Sequence, residues 1–270
     1  MTADRLPAVR LADAQLAYGS RVLWSGLDLD IQPGEFVAVL GPNGSGKTSL
    51  LRVLLGQVPL SAGRVEVNGT PVRRGSPLIG YVPQRTTIDS TAALRGRDLV
   101  RLGLDGHRFG IWLPHAARRR QVDEAIIAVG ARAYANLPIS TLSGGELQRL
   151  RIAQAIVNRP RLLLCDEPLS SLDLRHADDV TALIDDVRRS NDIAVVFVTH
   201  EINPILPITD RIVYIIDGLV RVGTPDEVLQ SEILTELYGS PIEVIRSHGR
   251  LVVLGEDPKL HCEPDAKALR

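Results

Sequence analysis

Short apolar runs dominate both ends of the chain, whereas its middle has the spacing of amphipathic helices. Hydrophobic and polar residues alternate along much of positions 6–40, and residues 36–40 are all apolar, which is typical of a strand buried on both faces. Residues 90–158 place apolar side chains three and four positions apart, which predicts helices. From residue 161 onward, apolar runs and amphipathic segments alternate again. This order predicts an α/β fold in which a helical segment interrupts the strands.

The same patterns predict the individual elements. The glycine-rich stretch after residue 40 leads into an apolar helix at 49–56. Further strands are predicted at 64–69, 79–82, 162–165 and 193–198; helices at 97–104, 118–129, 144–157, 177–188 and 225–237; and a hairpin that pairs 243–245 with 251–254. Repeated motifs are absent from the sequence, so each chemical motif described below occurs once.

Composition argues against several classes of protein. The chain has 270 residues, of which 44% are hydrophobic and 23% charged, with a formal net charge of −1, so neither disorder nor a nucleic-acid-binding surface is indicated. No run of about 18 apolar residues occurs and the N-terminus lacks the apolar core of a signal peptide, so we expect no membrane span. The two cysteines, Cys165 and Cys262, do not make a disulfide framework, which favours a reducing compartment.

A glycine-rich loop between a predicted strand and a predicted helix carries the first chemical signal. Its sequence, GPNGSGKT, fits the phosphate-binding pattern G-x-x-x-x-G-K-[ST]. Glycines let successive backbone N–H groups turn toward an anion, and the helix start adds positive potential. We expect Lys47 to reach the β- and γ-phosphates of a nucleotide and the Thr48 hydroxyl to ligate Mg²⁺. The predicted nucleotide-binding residues are Gly41, Pro42, Asn43, Gly44, Ser45, Gly46, Lys47, Thr48 and Ser49.

Two acidic residues follow the apolar run 162–165. Asp166 is expected to hold Mg²⁺ through water, and Glu167 to act as the general base that polarises an attacking water. In isolation such a pair is more often an ordinary acidic strand exit; beside a phosphate loop we favour the catalytic interpretation. His200 follows another apolar strand, and the C-terminal ends of parallel strands line one crevice. We therefore expect His200 at the same nucleotide, although a lone histidine is more often a packed or surface residue.

A second glycine pair lies in the stretch LSGGELQR, at a predicted helix start. Ser143, Gly144 and Gly145 offer a hydroxyl and backbone N–H groups, which can form another anion site. Glu146 stands three residues after Ser143, so the same residues also predict a capping box. The two interpretations are compatible.

Taken in order, these motifs resemble the ATP-binding cassette (ABC) ATPase family over roughly residues 9–238. The resemblance implies that the LSGGE segment caps the γ-phosphate of ATP held by a second copy of the chain, so a homodimer is expected. It also implies that Tyr18 stacks on adenine, although an ordinary edge-strand tyrosine is the alternative. Gln84 would sense Mg²⁺ and join the catalytic set, and Asp173 would bridge the two copies.

Two stretches indicate the branch of the family. Residues 81–85 (YVPQR) and 97–104 (RDLVRLGL) resemble the cassettes of zinc, manganese and iron-chelate importers. The resemblance implies an ATPase with ATP and Mg²⁺ as cofactors, peripheral on the cytoplasmic face of the cell membrane. Its partners would be a separate membrane permease and, in the full transporter, an extracytoplasmic binding protein. Cassettes for siderophore, vitamin and lipid-type cargo are closely similar, and a soluble non-transport ABC ATPase is the alternative of another class. No nucleic-acid partner is expected, because no basic stripe extends beyond residues 118–120.

The predicted domain organisation has three parts. Residues 1–87 and 159–240 form a P-loop NTPase core with a mostly parallel sheet and an antiparallel β layer, and residues 88–158 form an inserted helical subdomain with the LSGGE motif. Residues 241–270 form a hairpin and a polar tail, which could bind a transition metal. The spacing of its candidate ligands fits no standard zinc pattern, so a merely polar tail is the simpler interpretation. Those ligands are His248, His261, Cys262, Glu263 and Asp265.

Overall fold

Strands and helices follow one another along the chain in nearly the predicted order. The structure is a computed structural model that describes residues 6–84, 94–105, 116–170, 172–247 and 249–255. Its strands are β1 (Val9–Tyr18), β2 (Arg21–Ile31), β3 (Phe36–Leu40), β4 (Ala62–Val67), β5 (Thr70–Pro71), β6 (Ile79–Val82), β7 (Leu162–Asp166), β8 (Ala194–Val198), β9 (Arg211–Ile216), β10 (Leu219–Gly223), β11 (Ile242–Ser247) and β12 (Arg250–Gly255). Its helices are α1 (Lys47–Leu54), α2 (Gly96–Asp105), α3 (Ala116–Ala128), α4 (Gly144–Ile156), α5 (Leu174–Asn191), α6 (Pro225–Val228) and α7 (Ser231–Tyr238).

The larger sheet, with strand order β10-β9-β3-β8-β7-β6, forms the centre of the fold. Its strands from β9 to β6 run parallel, and β10 pairs antiparallel with β9. Every residue of β3, β7 and β8 is buried, which explains why their sequences are almost entirely apolar. The register pairs Val198 of β8 with both Val39 of β3 and Asp166 of β7, so the C-terminal ends of these strands meet at one edge.

A four-stranded antiparallel sheet, β2-β1-β4-β5, lies on one side of the larger sheet. Val37 and Val39 of β3 pack with this layer and with α1. Phe36, Ala38 and Leu40 of the same strand pack on the opposite side, with the helical segment and α5. The period of two along a strand thus divides the core into two layers. The predicted α/β fold, with its mostly parallel sheet and antiparallel layer, is confirmed.

The helices α2, α3 and α4 pack together in the segment between β6 and β7. Leu99, Val122 and Leu150, one from each helix, are buried in the same core cluster. Gly103 allows the close approach of α2 to α4, because a Cβ atom at this position would lie 2.2 Å from the carbonyl oxygen of Gln154. This packing fixes the direction of α4, which begins at the LSGGE motif.

The single helix predicted at 225–237 is wrong, because the structure divides it into α6 and α7. Leu229 ends α6 with φ −90° and ψ 63°, and Gln230 is extended with φ −120° and ψ 148°. Leu229 and Leu234 are both buried on either side of this break. Burial of apolar side chains from two short helices outweighs the helical periodicity of the segment.

The predicted C-terminal hairpin is present as β11 and β12, which form a separate two-stranded sheet. Ile242 and Leu251 are buried and belong to the same core cluster as α7. In the described ranges, no helix combines the length and apolarity that a membrane crossing requires.

Candidate functional site

The glycine-rich loop 41–46 joins β3 to α1 at the edge where the parallel strands end. Gly41 has φ 140°, and a Cβ atom there would lie 1.9 Å from the carbonyl oxygen of Ile215, so no other residue fits. Lys47 Nζ donates to the carbonyl oxygens of Gly41, at 2.7 Å, and Pro42, at 2.9 Å. The lysine side chain is thereby held inside the turn of the loop.

Lys47 carries its charge in a buried position. Burial lowers the pKa of its amine, and the charges of Glu167 and Asp166 act in the opposite direction. The positive charge of Lys47 therefore interacts with the negative charges of both acidic residues at the C-terminal end of β7. A cation at this point is suited to bind a polyanion such as a chain of phosphates.

The start of α1 offers further groups to an anion. Gly46, its N-cap, has φ 104° and no side chain to cap the first N–H groups. Ser45 Oγ is buried without a hydrogen-bond partner among the described residues. A buried hydroxyl in this position costs free energy unless it finds a partner, and a phosphate oxygen would supply one.

Asp166 is surrounded by hydroxyl groups at the end of β7. Its Oδ1 accepts a hydrogen bond from Thr48 Oγ1 at 3.3 Å, and its Oδ2 accepts one from Tyr81 Oη at 3.4 Å. Burial raises the pKa of Asp166, and the hydrogen bonds from Thr48 and Tyr81 oppose that shift. Burial together with the neighbouring Asp166 raises the pKa of Tyr81 to about 12, so this phenol remains a donor at neutral pH.

Glu167 lies between two other predicted site residues. Gln84 Nε2 donates to Glu167 Oε2 at 3.0 Å, and His200 Nδ1 lies 3.7 Å from the same oxygen. The backbone of Glu167 has a positive φ of 46°, and its N–H donates to the carbonyl oxygen of Val198 at 2.9 Å. That left-handed conformation is uncommon for a residue with a side chain.

Tyr18 lies at the end of β1, where it pairs with Arg21 at the start of β2. Its side chain is 48% exposed, which leaves the ring accessible. Arg21 Nη2 donates to the carbonyl oxygen of Gly44 at 3.5 Å, so this turn stands beside the phosphate loop. The structure therefore brings Tyr18 near the predicted nucleotide site, at the rim rather than among the buried groups.

The LSGGE motif begins α4 and has the predicted capping box. Ser143 Oγ accepts from the Glu146 N–H at 3.3 Å, and Glu146 Oε2 accepts from the Ser143 N–H at 2.8 Å. The hydrogen bonds from Ser143 lower the pKa of Glu146. In the described ranges, no hydrogen bond or ion pair joins residues 143–146 to the phosphate loop 41–49.

Asp173 is the N-cap of α5 and lies close to the start of α4. It accepts from the His176 N–H at 2.9 Å, and its carboxylate contacts His176 Nδ1 at 2.7 Å. A Cβ atom added to Gly145 would lie 3.0 Å from Cδ2 of the same histidine. His176 thus connects Asp173 with the LSGGE segment inside one chain.

Residues 24–170, more than half of the chain, match the sequence profile of the family described as ABC transporter. The chain belongs to the ABC transporter family. It is 35% identical over 225 residues to the zinc import ATP-binding protein ZnuC of Roseobacter denitrificans, an alignment that covers 83% of this chain and 82% of that protein. It is 33% identical over 244 residues to the zinc import ATP-binding protein ZnuC 2 of Hahella chejuensis, covering 88% and 93%.

Solved structures of ABC proteins share this fold. One, described as a metal-chelate type ABC transporter in an inward-facing conformation, is 28% identical with a TM-score of 0.78, and the match covers 94% of this chain and 99% of that one. Another is an ATP-binding cassette in a dimeric post-hydrolysis state bound to ADP and phosphate, 28% identical with a TM-score of 0.66, covering 80% and 98%. As an ABC ATPase, the present chain binds and hydrolyses ATP.

The sequence did not predict the contacts that three residues of this ABC ATPase site make. Arg21 and His176 belong to no motif, because each acts through proximity between elements that are distant in sequence. Tyr81 was named only as part of the stretch that indicates the family branch. The pairing of β6 with β7 brings it next to Asp166. Arg85 and the candidate metal ligands of the tail lie outside the described residues.

Proposed function

We propose that this ABC ATPase energises a metal-ion importer, as a peripheral subunit on the cytoplasmic face of the membrane. The observation that carries the catalytic part is that Gln84 and His200 both approach one carboxylate oxygen of Glu167. The metal cargo is supported by two relatives, at 35% and 33% identity, that are named zinc import ATP-binding proteins.

Binding of ATP begins at the phosphate loop. The first N–H groups of α1 and the Ser45 hydroxyl donate hydrogen bonds to the phosphate oxygens. Lys47 exchanges its carbonyl partners in the loop for the β- and γ-phosphate oxygens. The exposed ring of Tyr18 stacks on the adenine. The remaining loop residues from Gly41 to Ser49 hold this backbone shape.

Mg²⁺ fits the oxygen atoms at the same edge of the sheet. Thr48 and Asp166 already lie within 3.3 Å of each other, and hydroxyl, carboxylate and amide oxygens are the ligands this ion prefers. Thr48 and Gln84 would bind it directly, and Asp166 through water. When bound, the ion neutralises charge on the phosphates.

Hydrolysis requires a base that faces the γ-phosphate. Glu167 accepts a proton from a water molecule as the water oxygen attacks phosphorus, and the bond from phosphorus to the bridging oxygen of ADP breaks. Gln84 and His200 hold the carboxylate in position through the contacts described above. The fixed, left-handed backbone of Glu167 further restricts where the carboxylate can point.

The second anion site serves another copy of the chain. Ser143, Gly144, Gly145 and Glu146 have no hydrogen bond to the phosphate loop of their own chain, in the part of the chain that the structure describes. Two copies related by a two-fold axis would bring the start of α4 from each copy to the ATP of the other, and Asp173 to the interface between them. The similar cassette whose structure is dimeric with ADP and phosphate supports this homodimer.

The helical segment links the site to the membrane. We assign residues 1–87 and 159–240 to the nucleotide-binding core, 88–158 to a helical subdomain and 241–270 to a C-terminal extension. The helical subdomain lies between Gln84 and the start of α4, so it can transmit the state of the γ-phosphate to a permease. An extracytoplasmic binding protein would deliver the cargo to that permease.

A reconstituted transporter tests this function. The chain is assembled with its membrane partner in vesicles, and ATP hydrolysis and uptake of radioactive zinc are measured together. We expect uptake that requires ATP and is lost with Glu167→Gln but kept with Glu201→Gln, which changes an exposed acid beside His200. Hydrolysis of ATP without zinc uptake would contradict zinc as the cargo. Zinc uptake that persists with Glu167→Gln would contradict the proposed catalytic site.

A metal chelate is the second candidate cargo. It is favoured by the similar structure described as a metal-chelate type transporter, at 28% identity. The same vesicles distinguish the two, because uptake of the free ion predicts inhibition by a membrane-impermeant chelator. Uptake of a chelate predicts that the metal enters together with its organic ligand.

A further inference from the structure

The C-terminal hairpin exposes one complete side of a two-stranded sheet. The strand pairing places Glu243 opposite Leu254, Ile245 opposite Val252, and Ser247 opposite Arg250. Side chains alternate along strands, so these three pairs share one side of the hairpin. All six residues are exposed, and we call them the outer face. The opposite side carries the buried Ile242 and Leu251.

The hairpin is held firmly on the rest of the protein. Asn203 accepts from the Leu251 N–H at 2.8 Å and donates to the Leu251 carbonyl oxygen at 2.9 Å. Arg246 forms an ion pair of 2.6 Å with Asp226. An isolated two-stranded hairpin is marginal in water, so these contacts are what keep the outer face in a fixed shape. Asn203 also lies three residues after His200, which connects the hairpin to the segment that carries the catalytic histidine.

The outer face combines an apolar centre with opposite charges at two of its corners. Ile245, Val252 and Leu254 are 40%, 47% and 48% exposed, and they are neighbours across the two strands. Scattered exposed apolar residues are common, but a contiguous group on a rigid sheet is typical of an interaction surface. Glu243 and Arg250 stand at diagonally opposite corners, and in the described ranges neither has an ion-pair partner.

We propose that the outer faces of two copies of the chain pack against each other in the assembled transporter. A two-fold axis in the plane of contact sets Ile245 on Ile245 and Val252 on Val252. The same operation sets Glu243 of each copy on Arg250 of the other, because the two charges are related by the diagonal of the face. The strands of the two hairpins then cross at a moderate angle, as aligned packed sheets do at about 30°. The surface is therefore complementary to itself, as a two-fold interface requires.

Self-complementarity favours a second copy over a different protein. A single oppositely charged partner would match only one of the two corners, whereas a second copy neutralises both. Six residues on each side bury far less than the roughly 1,600 Å² of a stable independent interface. The contact consequently forms between copies that are already held together, which raises their effective concentration. In this respect the inference rests on the proposed homodimer.

Crosslinking tests the arrangement in the full-length chain bound to its permease. Ile245→Cys is combined with Cys262→Ser, which leaves buried Cys165 as the only other thiol. Packed sheets lie about 10 Å apart, beyond the roughly 7 Å limit for a disulfide between Cα atoms, so a short bis-maleimide is the reagent. We expect a crosslinked dimer with Ile245→Cys and none with Glu236→Cys, an exposed position on α7.

Charge exchange provides the decisive control. Glu243→Arg alone and Arg250→Glu alone each create two like-charged contacts, and each should reduce the rate of crosslinking about tenfold. Mixing the two single variants brings opposite charges together at both corners, so crosslinking returns, as it does in the double variant. Glu236→Arg should change nothing. Equal crosslinking in all these samples, or no recovery on mixing, would overturn the proposal.

Other occupants of the outer face would give distinct products. With Cys262 retained, a link from Ile245→Cys to Cys262 within one chain would show that the tail covers the face, and a link to the permease would show that the membrane subunit does. Either result overturns the proposal. Vanadate trapping of nucleotide is measured on the same samples. Trapping without crosslinking overturns only the hairpin contact, whereas crosslinking without trapping overturns the proposed nucleotide sandwich and leaves the contact standing.

Discussion

The edge of the large sheet and the start of α4 both carry predicted site residues, but they differ in how the polar side chains there are hydrogen-bonded. At the sheet edge, Asp166 and Glu167 are bonded to side chains from other elements of the same chain, including Thr48 and Gln84. At the start of α4, within the described residues, the side chains of Ser143 and Glu146 bond only to groups of these two residues. One region is a network of distant residues, and the other is a local turn.

The two regions also differ in the direction in which the pKa values of their carboxylates are shifted. Burial raises the pKa of Asp166, so the protein destabilises the ionised form of this carboxylate. Hydrogen bonds lower the pKa of Glu146, so its charge is stabilised. The ionised carboxylate therefore lowers stability at the sheet edge, whereas the ionised carboxylate at the start of α4 adds to it.

The largest effect is expected from Glu167→Gln. This change keeps the shape of the side chain but removes the base, so hydrolysis should fall roughly 10²- to 10⁴-fold while ATP still binds. Single-turnover hydrolysis and equilibrium binding of labelled ATP are measured in parallel. Glu201→Gln is the matched control. A loss of less than threefold would remove Glu167 from the role of base.

Two inactive variants should complement each other if the start of α4 binds the nucleotide of the second copy. Lys47→Ala removes the cation of the phosphate loop, and Gly144→Asp places a carboxylate where the γ-phosphate docks. Each homodimer should trap nucleotide with vanadate at least about tenfold less than the unchanged protein. A mixed dimer contains one site with both lesions and one intact site, which should trap again.

Trapping in the mixed dimer depends on a verified assembly. The two variants carry different tags, and sequential purification isolates the mixed dimer on its permease before the measurement. If each site were built within one chain, every site would carry one lesion and trapping would stay low. That outcome would contradict the use of Ser143 and Gly144 across the dimer.

Motifs that are contiguous in sequence were the easiest part of this molecule to predict. The phosphate loop, the capping box at Ser143 and the buried strands depend on local sequence patterns, and the structure has all of them where they were expected. The position of His200 near Glu167 followed from the rule that parallel strand ends share one edge. What these patterns predict is geometry, and the roles of the residues remain proposals.

Contacts between elements that are distant in sequence could not be predicted. The bond from Tyr81 to Asp166 depends on which strand lies beside β7, and a sequence does not specify strand order. The contact of His176 with Gly145 depends on how α5 meets α4. The break after Leu229 escaped prediction because burial on both sides of it outweighed a continuous helical pattern.

A moderate effect is expected from Ser143→Ala. The variant loses the oxygen that caps α4, which should lower stability by about 1 kcal/mol and the melting temperature by about 2–4 °C. Thr224→Ala is the matched control, because Thr224 and Glu227 form the same kind of capping box at α6. Both variants should melt earlier, but only Ser143→Ala should also reduce vanadate trapping. Equal vanadate trapping in the two variants would show that Ser143 acts only as a helix cap.

The smallest effect, and the one of opposite sign, is expected from Asp166→Asn. Burial raises the folded-state pKa of Asp166 above its ordinary value of 3.8, so the folded protein holds this proton to higher pH than the unfolded chain does. Stability of the unchanged protein therefore decreases as the pH rises from the unfolded pKa through the folded one, and the full cost is present at neutral pH.

Asparagine has nearly the same shape without the charge, so the variant should melt at a slightly higher temperature at pH 7, by less than Ser143→Ala lowers it. The gain should shrink as the pH falls through the folded pKa and vanish below the unfolded pKa, where both proteins are uncharged at this position. Calorimetry across that range measures it, with the exposed Asp178→Asn as control. A variant that melts earlier at pH 7, or a gain that does not depend on pH, would show that the hydrogen bonds from Thr48 and Tyr81 outweigh the burial of the charge, and that the sheet edge stores no cost for its chemistry.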